Sequence, residues 1–371
     1  MILKNASLQE FDNYIKESGK DIVLFGAGTL LISWMPYVLE HYGMIDSVKL
    51  IIDNSPEKWG EEISVGGRNF LIGNPEMLCQ KITSRMILMI TSSYFAKMIE
   101  QFDRMPELDS IECFVAPIMY LTHRKEKRSE FRPFMREQMS IPKVIHYCWF
   151  GRNPIPEKNR RCIESWKRYC PDYEIVEWNE NNYDIYKNEY MGQAYDAKKY
   201  GYVPDYARID ILYSQGGIYF DTDVELIRNI DDLLYLDAFT SFEEYPTVNF
   251  GGGSGSVKGL PVLKRILDFR EKAQFLKRDG SYNTITCGYY ETFPLRAAGL
   301  RQDGTLQNIE GLTVLSSDYF HPKSSVSGCV NQTENTYAIH QFSWSWVDDR
   351  QKEEKRKTQE KYREIIKRMQ G

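Results

Sequence analysis

The 371-residue sequence has no Cys-x-x-Cys pair among its seven cysteines, no uninterrupted apolar run that could cross a bilayer, and no excess of basic charge. Each absence excludes a class. Cys79, Cys113, Cys148, Cys162, Cys170, Cys287 and Cys329 are odd in number and scattered, which gives no zinc site and fits a reducing compartment. A net charge of −5 offers no electrostatic footprint for nucleic acid, so no nucleic-acid partner is expected. A membrane span needs about 20 apolar residues, and Met1-Ile-Leu-Lys-Asn-Ala-Ser lacks the basic start and apolar run of a signal peptide. The expected location is cytoplasmic, with any membrane contact peripheral to the inner face. There is no internal repeat, and nothing after Gly251-Gly-Gly-Ser-Gly255 resembles the Gly-Lys-Ser/Thr of a P-loop.

What is there suggests two domains, because the chain is too long for one average domain. Ser7-Leu-Gln-Glu10 reads as a capping box opening a helix through Ile15. Asp21 to Phe25 is then a buried strand, Gly26-Ala-Gly28 a tight turn, Leu30 to Tyr42 a helix, and Val48 to Asp53 a second strand ending in an acid. Arg85 to Thr91 and Glu112 to Val115 add strands around a helix from Ala96 to Phe102. Such alternation implies a parallel, Rossmann-like sheet. The dinucleotide fingerprint is incomplete, with Leu31 in place of the third glycine, and no hydride-site constellation supports a nicotinamide oxidoreductase. The arrangement, including Asp53-Asn-Ser-Pro-Glu-Lys-Trp-Gly60, resembles small Rossmann-like modules of sugar-modifying enzymes. The charge-dense run His123 to Arg132 marks a boundary. The expected division is a Rossmann-like module over 1–120, a charged linker over 121–140, a second α/β domain over 141–346 and a charged surface helix over 347–371.

The most informative stretch runs from Val203 to Val224. Asp205 and Arg208 lie three apart where Ile209, Leu212 and Tyr213 recur at helical intervals, so both charges project from one face near the helix start. Gly216-Gly217 stops that helix, because glycine takes up the left-handed conformation that a C-terminal cap needs. Ile218-Tyr219-Phe220 then reads as a short buried strand delivering Asp221 and Asp223. With an extended backbone both carboxylates point one way and Thr222 the other. Two convergent carboxylates repel unless a cation sits between them, and a hard divalent ion shared with diphosphate oxygens is the natural occupant. A lone Asp-x-Asp is more often a solvated turn; the preceding Asp-x-x-Arg, glycine pair and apolar strand set this one apart.

This segment is similar to the sugar-binding, Asp-x-Asp-containing region of family 32 glycosyltransferases and the related glucosylating toxin domains. Ile141 to Gly151 resembles that family's first strand, Cys162 to Asn179 its first helix and second strand, and Tyr337 to Trp346 its closing motif. The resemblance spans about 141 to 346 and implies a GT-A-like domain. In that family the tryptophan matching Trp149 stacks on uracil; an ordinary core tryptophan is the alternative. The family pattern gives Asp221 the ribose hydroxyls and Asp223 the metal. By their own chemistry Arg208 offers planar donors to phosphate or sugar oxygens and Asp205 accepts from sugar hydroxyls, the alternative being a surface ion pair. His340 is either a metal ligand or a structural histidine, and imidazole suits manganese better than magnesium. Ser343, Ser345 and Trp346 carry hydroxyl and indole donors for phosphates. Gln341 stands where the family often has a second histidine, which leaves the metal shell open. Asn249, before the glycine-rich run, is placed to face the donor sugar, with a plain flexible turn as the alternative.

The fold expected is α/β throughout, a Rossmann-like parallel sheet followed by a GT-A-like nucleotide-sugar transferase domain. The function expected is metal-dependent transfer from a UDP-sugar to a hydroxyl of a glycan or lipid-linked glycan, as a hexosyl- or N-acetylhexosaminyltransferase using manganese or magnesium. The resemblance also implies retention of configuration and a bacterial surface-polysaccharide pathway such as capsule assembly. The alternative is a non-catalytic sugar-nucleotide binding or regulatory protein, against which the intact Asp221, Asp223 and Arg208 argue.

Overall fold

The computed structural model describes residues 1–123, 130–343 and 349–370, and it divides the chain into Met1–Lys125 with Glu353–Gly371, and Glu126–Lys352. The middle of the expected linker, 124–129, lies outside the described residues, as do Ser345 and Trp346.

The first unit is built on seven strands: β1 (Ile2–Lys4), β2 (Asp21–Phe25), β3 (Val48–Ile52), β4 (Glu62–Val65), β5 (Arg68–Gly73), β6 (Met86–Ile90) and β7 (Glu112–Val115). They lie in the order β1-β7-β6-β2-β3-β5-β4, and every pairing is parallel except β4 with β5. The order of β5, β3, β2, β6 and β7 is that of a Rossmann-like sheet, with its switch point between β2 and β6. Ile22 to Phe25 and Ile87 to Ile90 are fully buried, as parallel strands covered on both faces must be.

The first helix, α1 (Leu8–Ser18), carries the expected capping box and runs three residues past Ile15 to a left-handed Gly19. The single helix expected over Leu30 to Tyr42 is instead two, α2 (Thr29–Ser33) and α3 (Met35–His41), broken at Trp34. Pro36 is the reason: it has no N–H to give the carbonyl of Ile32 and its ring crowds that turn. Asp53, the acid of the incomplete fingerprint, is committed within the module. Its Oδ2 accepts Ala27 N–H at 2.6 Å and lies 3.2 Å from Lys58 Nζ, while Oδ1 accepts Ser55 N–H at 2.8 Å. The helix Asp349–Gln370 is grouped with this unit from Glu353 onward. One stripe of it is packed: Ile365 is buried, the Tyr362 ring meets Phe95, and Arg368 forms two bonds to Asp103 at 2.9 and 3.1 Å.

Among its described residues the second unit has ten strands: β8 (Val144–Cys148), β9 (Glu174–Trp178), β10 (Gly217–Tyr219), β11 (Val224–Leu226), β12 (Ala238–Phe242), β13 (Val248–Asn249), β14 (Ser254–Ser256), β15 (Gln307–Ile309), β16 (Leu312–Leu315) and β17 (Ala338–His340). A mixed sheet runs β15-β16-β12-β14-β10-β8-β9, with β13 on β12, and β11 pairs only with β17. The helices α4 (Pro75–Lys81), α5 (Phe95–Phe102) and α6 (Ala116–His123) belong to the first unit. The second holds α7 (Glu157–Tyr169), α8 (Glu189–Asp196), α9 (Pro204–Gln215), α10 (Pro261–Arg270) and α11 (Cys287–Ala297). Its core has two parts, one joining Leu212 of α9, Ile266 of α10 and Leu295 of α11, the other joining Trp166 of α7 to Phe220 and Phe239. The architecture is mixed α/β in both units, as the sequence implies.

Candidate active site

The glycine pair after α9 sets the approach to the acids. Gly216 ends the helix at φ 76°, ψ −163°, a positive φ with an extended ψ in place of the left-handed cap expected. Gly217 follows at φ 90°, where a Cβ would lie 2.8 Å from the carbonyl of Val144. Only glycine lets β10 slide in beside β8 so soon after a helix.

The extended backbone expected between Asp221 and Asp223 does not form. β10 stops at Tyr219, and Val224 N–H donates to the carbonyl of Asp221 at 3.0 Å, closing a turn. The chain is leaving one sheet for another: Asp221 N–H bonds Gly251 O at 2.8 Å, and Val224 starts the pairing of β11 with β17. Thr222 is buried and accepts Asn159 Nδ2 at 2.8 Å. The acids converge all the same. Val224 lies opposite His340 in the β11 and β17 register, and ligand atoms of Asp221, Asp223 and His340 all fall within 4.8 Å of one another.

Asp223 accepts Ser343 N–H through Oδ2 at 2.7 Å, and its Oδ1 is 3.3 Å from His340 Nε2. Desolvation raises the pKa of Asp223, yet His340 and Ser343 outweigh it and hold the carboxyl at about 2. Desolvation lowers that of His340, and the facing Asp223 carries it above its ordinary value. For Asp221 desolvation raises the pKa and Arg208 offsets it only in part. Among the described residues His340 Nδ1 is buried without a hydrogen-bond partner. Two carboxylates and an imidazole with an unpartnered ring nitrogen form a donor set that fits a divalent ion.

Behind the acids lies a buried charge network. Arg208 Nη2 bonds Asp205 Oδ1 at 3.0 Å and faces Asp221 Oδ1 at 3.6 Å, and Arg270 Nη2 takes the other oxygen of Asp205 at 2.9 Å. Both side chains of the Asp205 and Arg208 pair are almost wholly buried, so the surface ion pair weighed from the sequence is not what forms. Arg208 also lies 3.7 Å from Glu291, whose carboxyl burial pushes up to about 7.

Trp149 follows β8, and Asp221 follows β10; the two strands are parallel neighbours, so both residues emerge at the same sheet end. The Trp149 ring is partly buried, and its Nε1 donates to Asn153 O at 2.6 Å, which fixes its plane. Asn249 is turned inward. Its Oδ1 accepts Gly251 N–H at 2.8 Å and Gly252 N–H at 3.2 Å, and its Nδ2 donates to Glu243 Oε2 at 3.0 Å. The run after it is a buried, tightly packed loop: a Cβ on Gly251 would lie 2.2 Å from Asp221 Oδ2, and one on Gly252 2.0 Å from His321 Nε2. Gln341 is directed away from the acids, bonding Glu225 at 2.7 Å and accepting Lys323 Nζ at 2.8 Å.

Sequence reading missed Arg270, Glu291 and the space-filling role of the glycine run. Arg270 and Glu291 sit in unremarkable helices, and no local spacing ties them to Asp205; only tertiary packing does. The consecutive glycines from Gly251 did carry a signal, since side-chain-free backbone often marks a close approach.

Two acids from the turn between β10 and β11 and an imidazole from β17 thus converge on one site, and the sequence comparisons give its class. Residues 156–240 match the family model described as "Glycosyltransferase sugar-binding region containing DXD motif". The chain is 31% identical over 146 residues to inositol phosphoceramide mannosyltransferase 3 of Schizosaccharomyces pombe, covering 36% of this chain and 38% of that protein. It is 27% identical over 217 residues to an uncharacterized glycosyltransferase of Acanthamoeba polyphaga mimivirus, covering 56% of this chain and 84% of that one. Among solved structures, the PaToxG glycosyltransferase aligns at TM-score 0.35 and 20% identity, over 55% of this chain and 78% of that chain. The chain thus spans under two fifths of the mannosyltransferase, 38% of its length. The family-model match and the two sequence relatives support a glycosyltransferase with a DXD-containing sugar-binding region.

Proposed function

We propose that the protein transfers a sugar from a UDP-sugar to a hydroxyl of a glycan or lipid-linked glycan, with retention of configuration, in bacterial surface-polysaccharide synthesis. The observation that carries this reading is the convergence of His340 with Asp221 and Asp223, the two acids lying within the segment 156–240 that matches a glycosyltransferase sugar-binding region. Asp223 and His340, with Asp221 beside them, would hold manganese or magnesium, which when bound supplies Lewis-acid stabilisation of the departing diphosphate. Asp221 accepts from ribose hydroxyls. Ser343 N–H keeps Asp223 aimed, and its hydroxyl is a donor for phosphate. Asp205 and Arg208 hold the sugar side of the donor. Among the described residues no helix is long and apolar enough to cross a membrane.

The test is a panel of sugar nucleotides screened for nucleoside diphosphate release with manganese and with chelator. Release from one UDP-sugar, abolished by chelator, is expected. The panel includes a mannosyl nucleotide, because a relative is named a mannosyltransferase; a response to that donor alone would replace uridine in this reading. No release from any member leaves the binding or regulatory alternative standing.

Trp149 gives a second check on the base. Its ring plane is fixed by Asn153, and Trp149→Ala removes one stacking face, so UDP affinity should fall by roughly 1–3 kcal/mol. Unchanged affinity in a folded variant, measured by calorimetry, returns Trp149 to a packing role.

A further inference from the structure

The charge network behind the acids ends in two residues that no motif includes. Arg270, on α10, has a side chain 3% exposed and lies between the rings of Tyr190 and Tyr290, 4.4 and 4.2 Å from their centroids. Its Nη2 holds Asp205, while Nε and Nη1 have no hydrogen-bond partner. Glu291, on α11, accepts Phe250 N–H through Oε2 at 2.8 Å, and so fixes the residue immediately before Gly251. Its Oε1 and Arg208 Nη1 face each other at 3.7 Å, both buried and both without a hydrogen-bond partner.

These contacts grip Arg208 from two sides. Asp205, itself fixed by Arg270, takes Nη2, and Glu291 attracts Nη1, which leaves the guanidinium facing Asp221. Stability alone gives little reason for such a cluster, since well-packed apolar residues are generally as stable as a buried ion pair. The open Nη1 of Arg208 also has a location. It lies beside Gly251, where an added Cβ would come within 2.5 Å of Arg208 Nη1.

We propose that Arg270 and Glu291 are positioning residues for Asp205 and Arg208, and that they govern handling of the donor sugar without touching it. The inference rests on the sugar-transfer reading above. It goes further in separating the sugar from the nucleotide, because among the described residues the hydrogen bonds and ion pairs of Arg270 and Glu291 reach Asp205 and Arg208 and not Trp149 or Ser343.

The test uses the full chain as Arg270→Lys, Arg270→Met and Glu291→Gln. With the sugar nucleotide that the wild type turns over, kcat should fall about 10²-fold in Arg270→Met, the scale of a small misplacement of a reacting group. UDP affinity with manganese should stay at the wild-type value. Arg270→Lys should recover part of the lost kcat, since it restores a charge to Asp205. Glu291→Gln keeps an acceptor for Phe250 N–H, so it should fold and carries the test if Arg270→Met does not; its kcat should fall with UDP affinity retained. Equal losses of kcat and UDP affinity would mean general disruption and overturn the proposal, as would wild-type kcat in folded variants. A wild-type chain that releases no UDP from any donor refutes the sugar-transfer reading and this inference with it, an outcome distinct from active wild type with unaffected variants.

Discussion

Asp223→Asn is expected to lower metal-dependent UDP release by about 10³-fold or more, because several kcal/mol of stabilisation of the leaving diphosphate depends on this carboxylate. The substitution is nearly isosteric. The Asn carbonyl can still accept Ser343 N–H, and the pairing of β11 with β17 involves backbone only, so the fold should survive. Stability has a definite sign. The folded-state pKa of Asp223, about 2, lies below its ordinary 3.8, so the ionised group stabilises the fold above 3.8 and that contribution is lost as pH falls through 2. The variant lacks this contribution at neutral pH and should melt somewhat lower than wild type, with the gap closing in acid. Manganese titration by calorimetry and a UDP-release assay on the same folded sample check both halves. Wild-type release by the variant, or by the wild type in excess chelator, would remove Asp223 from the metal site.

Much of the site was legible because its parts are local. Asp205 and Arg208 three apart, a glycine pair ending their helix and a short apolar strand before Asp221 are all written within twenty-odd residues, and each follows from backbone preference. The Rossmann-like sheet was legible for a similar reason: its strands are buried on both faces and so read as unbroken apolar runs. The strands β1, β4 and β5 were not, since they are short or exposed on one side and carry no such run. The turn at Asp221 was misjudged because local propensity cannot show that Val224 must join β17, more than a hundred residues later. The approach of Arg270 and Glu291 to Asp205 and Arg208 is likewise a product of how α9, α10 and α11 pack. The tail helix looked uniformly charged, and only contact with Phe95 and Asp103 reveals its packed stripe.

Gly251→Ala is expected to cost about 10²-fold in turnover through a single methyl group, the scale on which small misplacements near the reacting atoms act. The backbone at Gly251 does not have the positive φ that would make alanine strained, so the effect has to come from space. There is none: the new Cβ would lie 2.2 Å from Asp221 Oδ2 and 2.5 Å from Arg208 Nη1. Neither neighbour can retreat freely. Asp221 is bonded by Tyr219 OH at 3.1 Å, Arg208 is held by Asp205, and the loop itself is tied by Asn249 and by Glu291 through Phe250. The methyl must therefore push Asp221 away from Asp223 and His340, or push Arg208 off the sugar side. Gly28→Ala is the matching control, because a Cβ there meets nothing within 4 Å and its φ of −107° suits alanine. Measured side by side, Gly251→Ala should lose metal-dependent UDP release and manganese affinity while melting as a folded protein, and Gly28→Ala should keep both. Wild-type turnover in Gly251→Ala would mean that the acidic site tolerates displacement, and that its tight contact with the glycine loop is packing without a part in the chemistry.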